Sequence, residues 1–571
     1  MNPKNILIAV AWPYVNGDIH PGHLGGYLLP ADITARYHRL LGNDVLMVSG
    51  SDCHGTPITI EADKKGTTPE KIIEEYHKKT LSLFSLYQLS FNVYTKTTTE
   101  NHKKVVQKLF LKILENGYIV PGMMKQYYNP EKEKFLPDRY VVGQCPYCKA
   151  ENQRSDQCEA CGRWLAEGEL INPVNKETGE PVELKDTEHY FFDLKKIAPL
   201  IKGYVKTKEK TWKDWVFAET IGWIKQGLTR RSITRDLDWG IELPIEEIEK
   251  LEDDKKLKSY EGKCIYVWFE AVIGYLSASI EWSQTKSPEE DILFKEFEGQ
   301  SKNWIDWWKN KKSEHYYFMG QDNLIFHTIL WPAQLIASGE KYQLPYNVVV
   351  NKFMSFNDQK FSKSRGNTID SRDLALKYGV DEVRFYISRI LPENKESNFT
   401  VSGLEDAINN ELIANLGNFV YRTLYFATKS FDGKIVDEKY SISSEVEERI
   451  NNTYVETASF LNRVEIGNAI LAILKLSRFG NQYFNDSKIW ELNKLNKEET
   501  KGIVLDLLNI VRNLSVLMEP FLPNSSKKLR EFIREKSLIP IIGEDLWKMN
   551  ITNKFEIVGT TRLVPLFKKV K

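Results

Sequence analysis

Five consecutive apolar residues, Ile6, Leu7, Ile8, Ala9 and Val10, leave no polar face and predict a strand buried on both sides. A Gly- and Pro-marked turn follows, and helical spacing takes over from Leu24 to about Leu41. The order then recurs. Val45 to Gly50 predicts a second buried strand, and helical patterns follow at 69–89 and 100–116, the latter stopped by Gly117. From about residue 117 the alternation breaks into short antiparallel strands carrying Tyr127, Tyr128, Phe135, Tyr140 and Val142. Strand-like Cys264 to Phe269 is expected to resume the first sheet. Tyr316 to Asn323 leads into a helix over Leu324 to Trp331, and Asn347 to Asn351 is the last buried strand. Beyond Pro392 long amphipathic helices are predicted near 403–430, 443–466, 467–485 and 498–520, and Leu412, Ile413, Leu416, Phe419, Val420 and Leu424 share one face of the first.

Strand–helix alternation that stops and resumes predicts an α/β fold, a Rossmann-type parallel sheet split by an insert and followed by an α-helical bundle. The expected division is 1–116 and 263–350 for the two halves of the sheet domain, 117–262 for the insert, 351–402 for a loop-bearing segment and 403–555 for the bundle. The tail 556–571, with Leu563, Val564, Leu566 and Phe567, is expected to pack back on the body.

At 571 residues the chain has room for three or four domains. Lys plus Arg equals Asp plus Glu at 78 each, so a nucleic-acid partner must be held by local basic patches and not by a global positive field. The six cysteines do not form an extracellular disulfide pattern. With no leader-like start and no apolar run of membrane-spanning length, a soluble cytoplasmic protein is expected.

The order of the first strand, turn and helix places His20, Gly22 and His23 at a strand's carboxyl end beside a helix N-terminus, where open α/β sheets bind phosphate. Two imidazoles there can donate to a triphosphate; the plainer reading is two polar residues opening a helix. Far downstream, Lys360, Ser362 and Lys363 lie on a Gly/Asn-flanked loop, and a solvated charge run is the plainer reading there. Asp52, just past the second strand, is either a helix cap or a carboxylate facing a substrate ammonium. Cys145 and Cys148, then Cys158 and Cys161 after nine intervening residues, form a doubled Cys-x-x-Cys pattern that fits one tetrahedral Zn²⁺, against free thiols or a redox pair. Four thiolates close the coordination sphere, so such a zinc is structural. His327, on an apolar helix, reads as a satisfied core histidine. Asn418 and Arg422, four apart, project together into solvent on the far face of their helix. Trp490 fits core and exposed stacking positions equally on pattern, and Arg230 with Arg231 fits RNA steering or plain solvation.

Taken together, the His-x-Gly-His tetrapeptide and a loop similar to Lys-Met-Ser-Lys-Ser resemble the paired ATP signatures of class I aminoacyl-tRNA synthetases. Ala11, Pro13, Tyr14, Asn16 and Gly17, the cysteine knuckles, the Thr234-Arg235-Asp236 element with Trp239 and Gly240, Tyr266-Val267-Trp268, Gly274-Tyr275, Phe326-His327 and the Asn418/Arg422 pair narrow that resemblance to the methionyl-tRNA synthetases, over essentially the whole chain. The resemblance implies ATP-dependent ligation of L-methionine to tRNA(Met) through methionyl-adenylate, with Mg²⁺ accompanying ATP. It implies His20, His23, Lys360 and Lys363 as catalytic groups, with Gly22 and Ser362 also at ATP. It implies Asp52 on the methionine ammonium, and Trp12, Tyr14, Trp268, Tyr275 and His327 around the side chain, where aromatic walls suit a polarisable thioether. Asn418, Arg422 and Trp490 are implied at the anticodon, residues 117–262 as the connective peptide and 351–402 as the stem-contact region. The insert has no room for the editing domain of the leucine, isoleucine and valine enzymes, and the short C-terminus favours a monomer. Trp12 stands where Leu is common in the family, Phe361 where Met is usual and Pro21 where Ile is usual. The rivals are a shorter nucleotidyl transferase using His-x-Gly-His and a non-catalytic tRNA-binding relative, which would have lost His20, His23 or Lys363.

Overall fold

The computed structural model describes residues 3–570 apart from 132–133, 137–139, 156, 159, 164, 166–167, 177, 238, 285–299 and 362–366. Its centre is a five-stranded parallel sheet, ordered Asn347–Asn351, Glu314–Gly320, Asn5–Val10, Asp44–Ser51, Val93–Lys96. The chain lays down 5–10, 44–51 and 93–96 in one direction, then returns to add 314–320 and 347–351 on the other side of the first strand. The reversal between 5–10 and 314–320 is a topological switch point, and a crevice opens there beyond the carboxyl ends of the strands.

Side-chain alternation divides this sheet between two cores. Ile6, Ile8 and Val10 face the same core as Val45, Met47, Tyr316 and Phe318, and that core runs on into the helical bundle. Leu7 and Ala9, with Leu46, Val48, Tyr317 and Met319, face a second core shared with the connective insert. Both faces being covered explains why the strand reads as an unbroken apolar run.

The insert is built on a long antiparallel pair, Ile119–Asn129 against Glu183–Phe192, in register from Ile119↔Phe192 to Tyr128↔Glu183. It is longer than the short strands expected, because the cysteine knuckles and the strands Val141–Gln144 and Ile171–Asn175 are carried as an excursion between its two arms. A second difference concerns Cys264 to Phe269, which does not rejoin the main sheet. Lys263–Ile265 pairs antiparallel with Thr234–Asp236 and Ile241–Glu242, and Val267–Glu270 is a helical turn. Aromatic and β-branched residues give that run a strand-like composition, but the Tyr266 N–H is taken by Ile233 O at 2.9 Å, which ends the strand and turns the chain.

The bundle contains helices Asn418–Phe431, Ser444–Asn462, Ile466–Asp486 and Lys497–Leu517, plus two the periodicity did not predict, Ile489–Leu495 and Pro523–Phe532. The expected helix over 443–466 ends at Asn462, where Val464 takes φ +55° and turns the chain. The tail returns as expected, with Phe567 buried against Gly417 and Lys554–Glu556 paired to Lys434–Val436. Sheet domain and bundle meet at a buried ion cluster. Asp32 accepts from Arg36 at 3.0 Å and Arg384 at 2.8 Å, while Arg384 also donates to the carbonyls of Phe521 and Pro520.

Candidate functional site

At the switch point a cleft of 1360 Å³ is bounded by Trp12, Tyr14, His20, Gly22, His23, Asp52, Trp268, Tyr275, His327 and Phe361. These come from five separate stretches of chain, so the structure brings together most of the residues picked out from the sequence. His20 caps the short helix Pro21–His23: the Gly22 N–H donates to His20 Nδ1 at 3.1 Å, and the His20 N–H donates to His23 Nδ1 at 3.2 Å. With both Nδ1 atoms accepting, the neutral rings carry their protons on Nε2. That is the tautomer able to donate to an anion at this helix start. Gly22 is required sterically, since a Cβ there would lie 2.9 Å from the His20 ring and 3.1 Å from Phe361.

The helix continues as a π-helical stretch, Leu24–Leu28, and Asn351 donates to the carbonyls of Gly25 and Gly26 at 3.2 and 3.1 Å. The end of the last parallel strand is thereby fixed to the His-x-Gly-His helix. From that strand the chain enters a small sheet in which Lys360 pairs with Ser355, and Phe361 then stacks on His20 with centroids 4.3 Å apart and planes 11° from parallel. Ser362 and Lys363 lie outside the described residues, as does the Lys360 side chain. The loop nevertheless departs from beside the histidines.

Asp52 is buried at the end of its strand, bridged to Tyr14, with its N–H donating to Pro13 O at 3.0 Å. It does not cap a helix: the next one starts at Thr56 with Gly55 in the cap position. His327 is both satisfied and in the cleft wall. Its Nδ1–H donates to Asn323 O at 2.9 Å, and the Tyr275 hydroxyl donates to Nε2 at 2.7 Å. Burial pushes the His327 pKa down to about 4 and the Tyr275 phenol well above its usual value, so both are neutral and oriented. Trp268 stacks on Phe326 at 4.5 Å and meets Tyr14 edge-on at 6.1 Å.

Trp12 occupies a slot that two glycines make possible. A Cβ on Gly50 would fall 2.3 Å from its indole, and one on Gly274 would fall 2.7 Å from it. Neither glycine stood out in the sequence as a partner of position 12. Asp322 and Asn323 were also missed, although they follow the carboxyl end of strand 314–320 as Asp52 follows its own, which was the available signal. Burial raises the Asp322 carboxyl above its usual range. A second cavity of 860 Å³, lined partly by Lys125, Arg231 and Arg235 of the insert, shares Trp268 and Phe326 with the cleft as lining residues. Arg230 faces outward and pairs with Asp193 at 2.9 Å.

The sulfurs of Cys145, Cys148, Cys158 and Cys161 all lie within 4.8 Å of one another, positioned to bind a metal. The two knuckles repeat one turn: Lys149 N donates to Cys145 O and Gly162 N to Cys158 O, with both donor residues at positive φ, 61° and 72°. In the bundle, Asn418 is exposed and donates to Asn481. Arg422 is half-buried and projects into solvent only in part, where full projection was expected. It donates to Asn485 at 2.6 Å and lies over the Phe484 ring at 3.7 Å, because the neighbouring helix Ile466–Asp486 offers an aromatic face and an acceptor within its reach. Trp490 is 42% exposed and stacks on the same Phe484, centroids 6.2 Å apart, so it is not core.

Residues 6–424 match the family model described as tRNA synthetases class I (M), and 432–559 match the anticodon binding domain of methionyl tRNA ligase. The chain is 38% identical over 542 residues to the methionine–tRNA ligase of Roseiflexus sp. (strain RS-1), covering 93% of this chain and 87% of that one. It is 39% identical over 535 residues to that of Thermococcus kodakarensis, covering 92% and 69%. Mycobacterium tuberculosis methionyl-tRNA synthetase in complex with methionyl-adenylate shares its fold, with a TM-score of 0.75 at 21% identity over 99% of this chain and 100% of that one. With sequence likeness of this extent joined to a cleft in which His20, His23 and Phe361 meet, the chain belongs to the methionyl-tRNA synthetase family.

Proposed function

We propose that this protein attaches L-methionine to tRNA(Met) in two steps, activating the amino acid with ATP and then transferring it to RNA. The observation that carries the reading is the stacking of Phe361 on His20, which joins the lysine loop to the histidine helix at the sheet's switch point. In the first step a carboxylate oxygen of methionine attacks the α-phosphorus of ATP. One P–O bond forms, the bond to pyrophosphate breaks, and methionyl-adenylate results. The barrier is dominated by charge on the phosphoryl and leaving oxygens, which donors already in place stabilise without a covalent intermediate. His20 and His23, whose Nδ1 atoms accept backbone N–H groups, are assigned that role with Lys360 and Lys363; Gly22 and Ser362 complete the ATP contacts. Bound with the triphosphate, Mg²⁺ would supply further neutralisation of its charge.

Asp52 is assigned to the methionine ammonium, and Trp12, Tyr14, Trp268, Tyr275 and His327 to the side-chain pocket. The neutral state of His327 supports an apolar, thioether-accepting wall. In the second step a terminal ribose hydroxyl of tRNA attacks the adenylate carbonyl and AMP leaves. Asn418, Arg422 and Trp490 are assigned to the anticodon, where the exposed Trp490 ring supports base stacking. The four cysteines fit a structural Zn²⁺: all are soft donors, their sulfurs lie within 4.8 Å of one another, and four thiolates would fill its coordination sphere. A cytoplasmic monomer completes the reading; among the described residues no helix is long and apolar enough to cross a membrane.

ATP/pyrophosphate exchange, run with each amino acid in turn, tests this directly. Exchange with methionine and with no other proteinogenic amino acid is expected; exchange with leucine but not methionine would overturn the substrate while leaving the fold intact.

A further inference from the structure

Behind the cleft, away from solvent, lies a carboxylate that the two steps above do not use. Glu270 is fully buried and does not line the cleft. Its Oε1 is 3.1 Å from His54 Nδ1 and its Oε2 is 2.6 Å from His102 Nε2. A carboxylate has no proton to give, so both ring nitrogens direct theirs at it. His102 extends the line through Nδ1, 2.7 Å from the Ser277 hydroxyl. Burial, the largest single influence, would raise the Glu270 pKa; the hydrogen bonds and charges of His102 and His54 together outweigh it and hold the group ionised.

Each member of this cluster stands beside a different wall of the cleft. Glu270 closes the helical turn Val267–Glu270 that carries Trp268. His54 follows Asp52 by two positions, and Cys53 between them is held by its N–H to Thr97 Oγ1 at 2.9 Å and by Trp239 Nε1 to its carbonyl at 2.8 Å. The His102 ring packs on Trp12 with centroids 6.0 Å apart. Ser277 sits two positions past Tyr275 in the helix Gly274–Gln284 and bonds back to Gly274 O at 3.1 Å. Four cleft residues from three stretches of the chain therefore neighbour groups gathered around one buried anion.

We propose that Glu270 is a positioning residue for the amino-acid half of the cleft, setting the relative placement of Asp52, Trp268, Trp12 and Tyr275 through His54 and His102. The inference rests on the amino-acid site proposed above. It requires a charge and not merely a polar group, because an amide in its place turns an NH₂ toward one imidazole N–H and leaves two donors facing each other in a dry site.

The test is ATP/pyrophosphate exchange by the wild-type protein, Glu270→Gln and Glu270→Asp, titrating methionine at saturating ATP and ATP at saturating methionine. Glu270→Gln is expected to raise the KM for methionine by roughly tenfold or more, the scale of a small misplacement at a binding site, with the KM for ATP held within about twofold. Glu270→Asp, which keeps the charge on a shorter stem, recovers part of the loss. An unchanged methionine KM, or equal changes in both constants, overturns the proposal, since a purely structural role predicts no such split. Should Glu270→Gln fail to fold, His54→Leu removes one arm of the cluster and is judged by the same split. A wild-type protein inactive with methionine would overturn the substrate assignment and this inference with it.

Discussion

The ring of Phe361 lies 4.3 Å from the imidazole of His20, nearly parallel to it, although the two are separated by more than three hundred positions in the chain. A position that the family commonly fills with Met here supplies a second aromatic plane over the histidine. Replacing Phe361 with Ala removes a stack worth roughly 0.5–1.5 kcal/mol beyond its buried area. The KM for ATP in pyrophosphate exchange should rise severalfold, to about tenfold, with the KM for methionine unchanged. Equal ATP constants in mutant and wild type would separate the loop from the nucleotide site.

Arg422 and Trp490 both pack on one ring, Phe484. If that platform reads a base, Trp490→Ala removes roughly 1–3 kcal/mol of stacking. The kcat/KM for aminoacylation of full-length tRNA should fall by about ten- to a hundredfold, with tRNA-independent exchange unchanged. Loss of exchange in parallel would point to general destabilisation instead.

The cysteine cluster should bind one metal ion per chain, measurable by metal analysis of the purified protein. Cys148→Ser, altering an exposed ligand, should lower metal content below one equivalent and reduce the melting temperature of the insert. Because four thiolates leave no open position, adenylate formation should outlast chelation for as long as the insert remains folded.

Stability should carry a signature of buried neutral histidines. Burial brings the His315 pKa from 6.5 down to about 4. Between these values the unfolded chain binds a proton that the folded chain refuses, so the contribution is fully present above the unfolded pKa and is lost as the pH falls from 6.5 toward 4. His38 and His327 behave alike, whereas Asp44, pushed up to about 6, and Glu382, pushed up to about 7, act in the opposite sense. His315→Phe isolates one contribution. Urea denaturation at pH 7 and pH 5 should show the variant losing about 2 kcal/mol less than wild type over that interval.

The Asp32–Arg384 pair joins the sheet domain to the 351–402 segment where neither side chain meets solvent, and Arg384 in turn bonds to the bundle carbonyls of Phe521 and Pro520. Burial acts against the Asp32 charge, but Arg36 and Arg384 outweigh it and hold the pKa at about 2. Asp32→Asn leaves the buried Arg384 guanidinium without its carboxylate, while Arg36 keeps Glu519, and should cost about 3–5 kcal/mol, read as a lower urea midpoint. A double variant, Asp32→Leu with Arg384→Met, should be less destabilised than that single change.

The sequence by itself determined whatever depends on near neighbours in the chain. The run from Ile6 to Val10 could only be a doubly buried strand, the histidines had to follow it at a helix start, and the paired cysteine spacings brought four sulfurs together. Whole-chain likeness to a family was equally legible, because it is carried by short motifs in a fixed order. Tertiary structure decided everything that depends on which distant segment arrives alongside. Lys263–Ile265 joined the insert's sheet because Thr234–Asp236 and Ile241–Glu242 supplied its hydrogen bonds, a choice its own composition does not encode. Arg422 folded onto Phe484 because another helix presented that ring. Trp12 fits only where Gly50 and Gly274 leave space, and Glu270 acquires a role only once His54 and His102 converge on it. Periodicity records which face of an element is buried; packing alone determines what it is buried against.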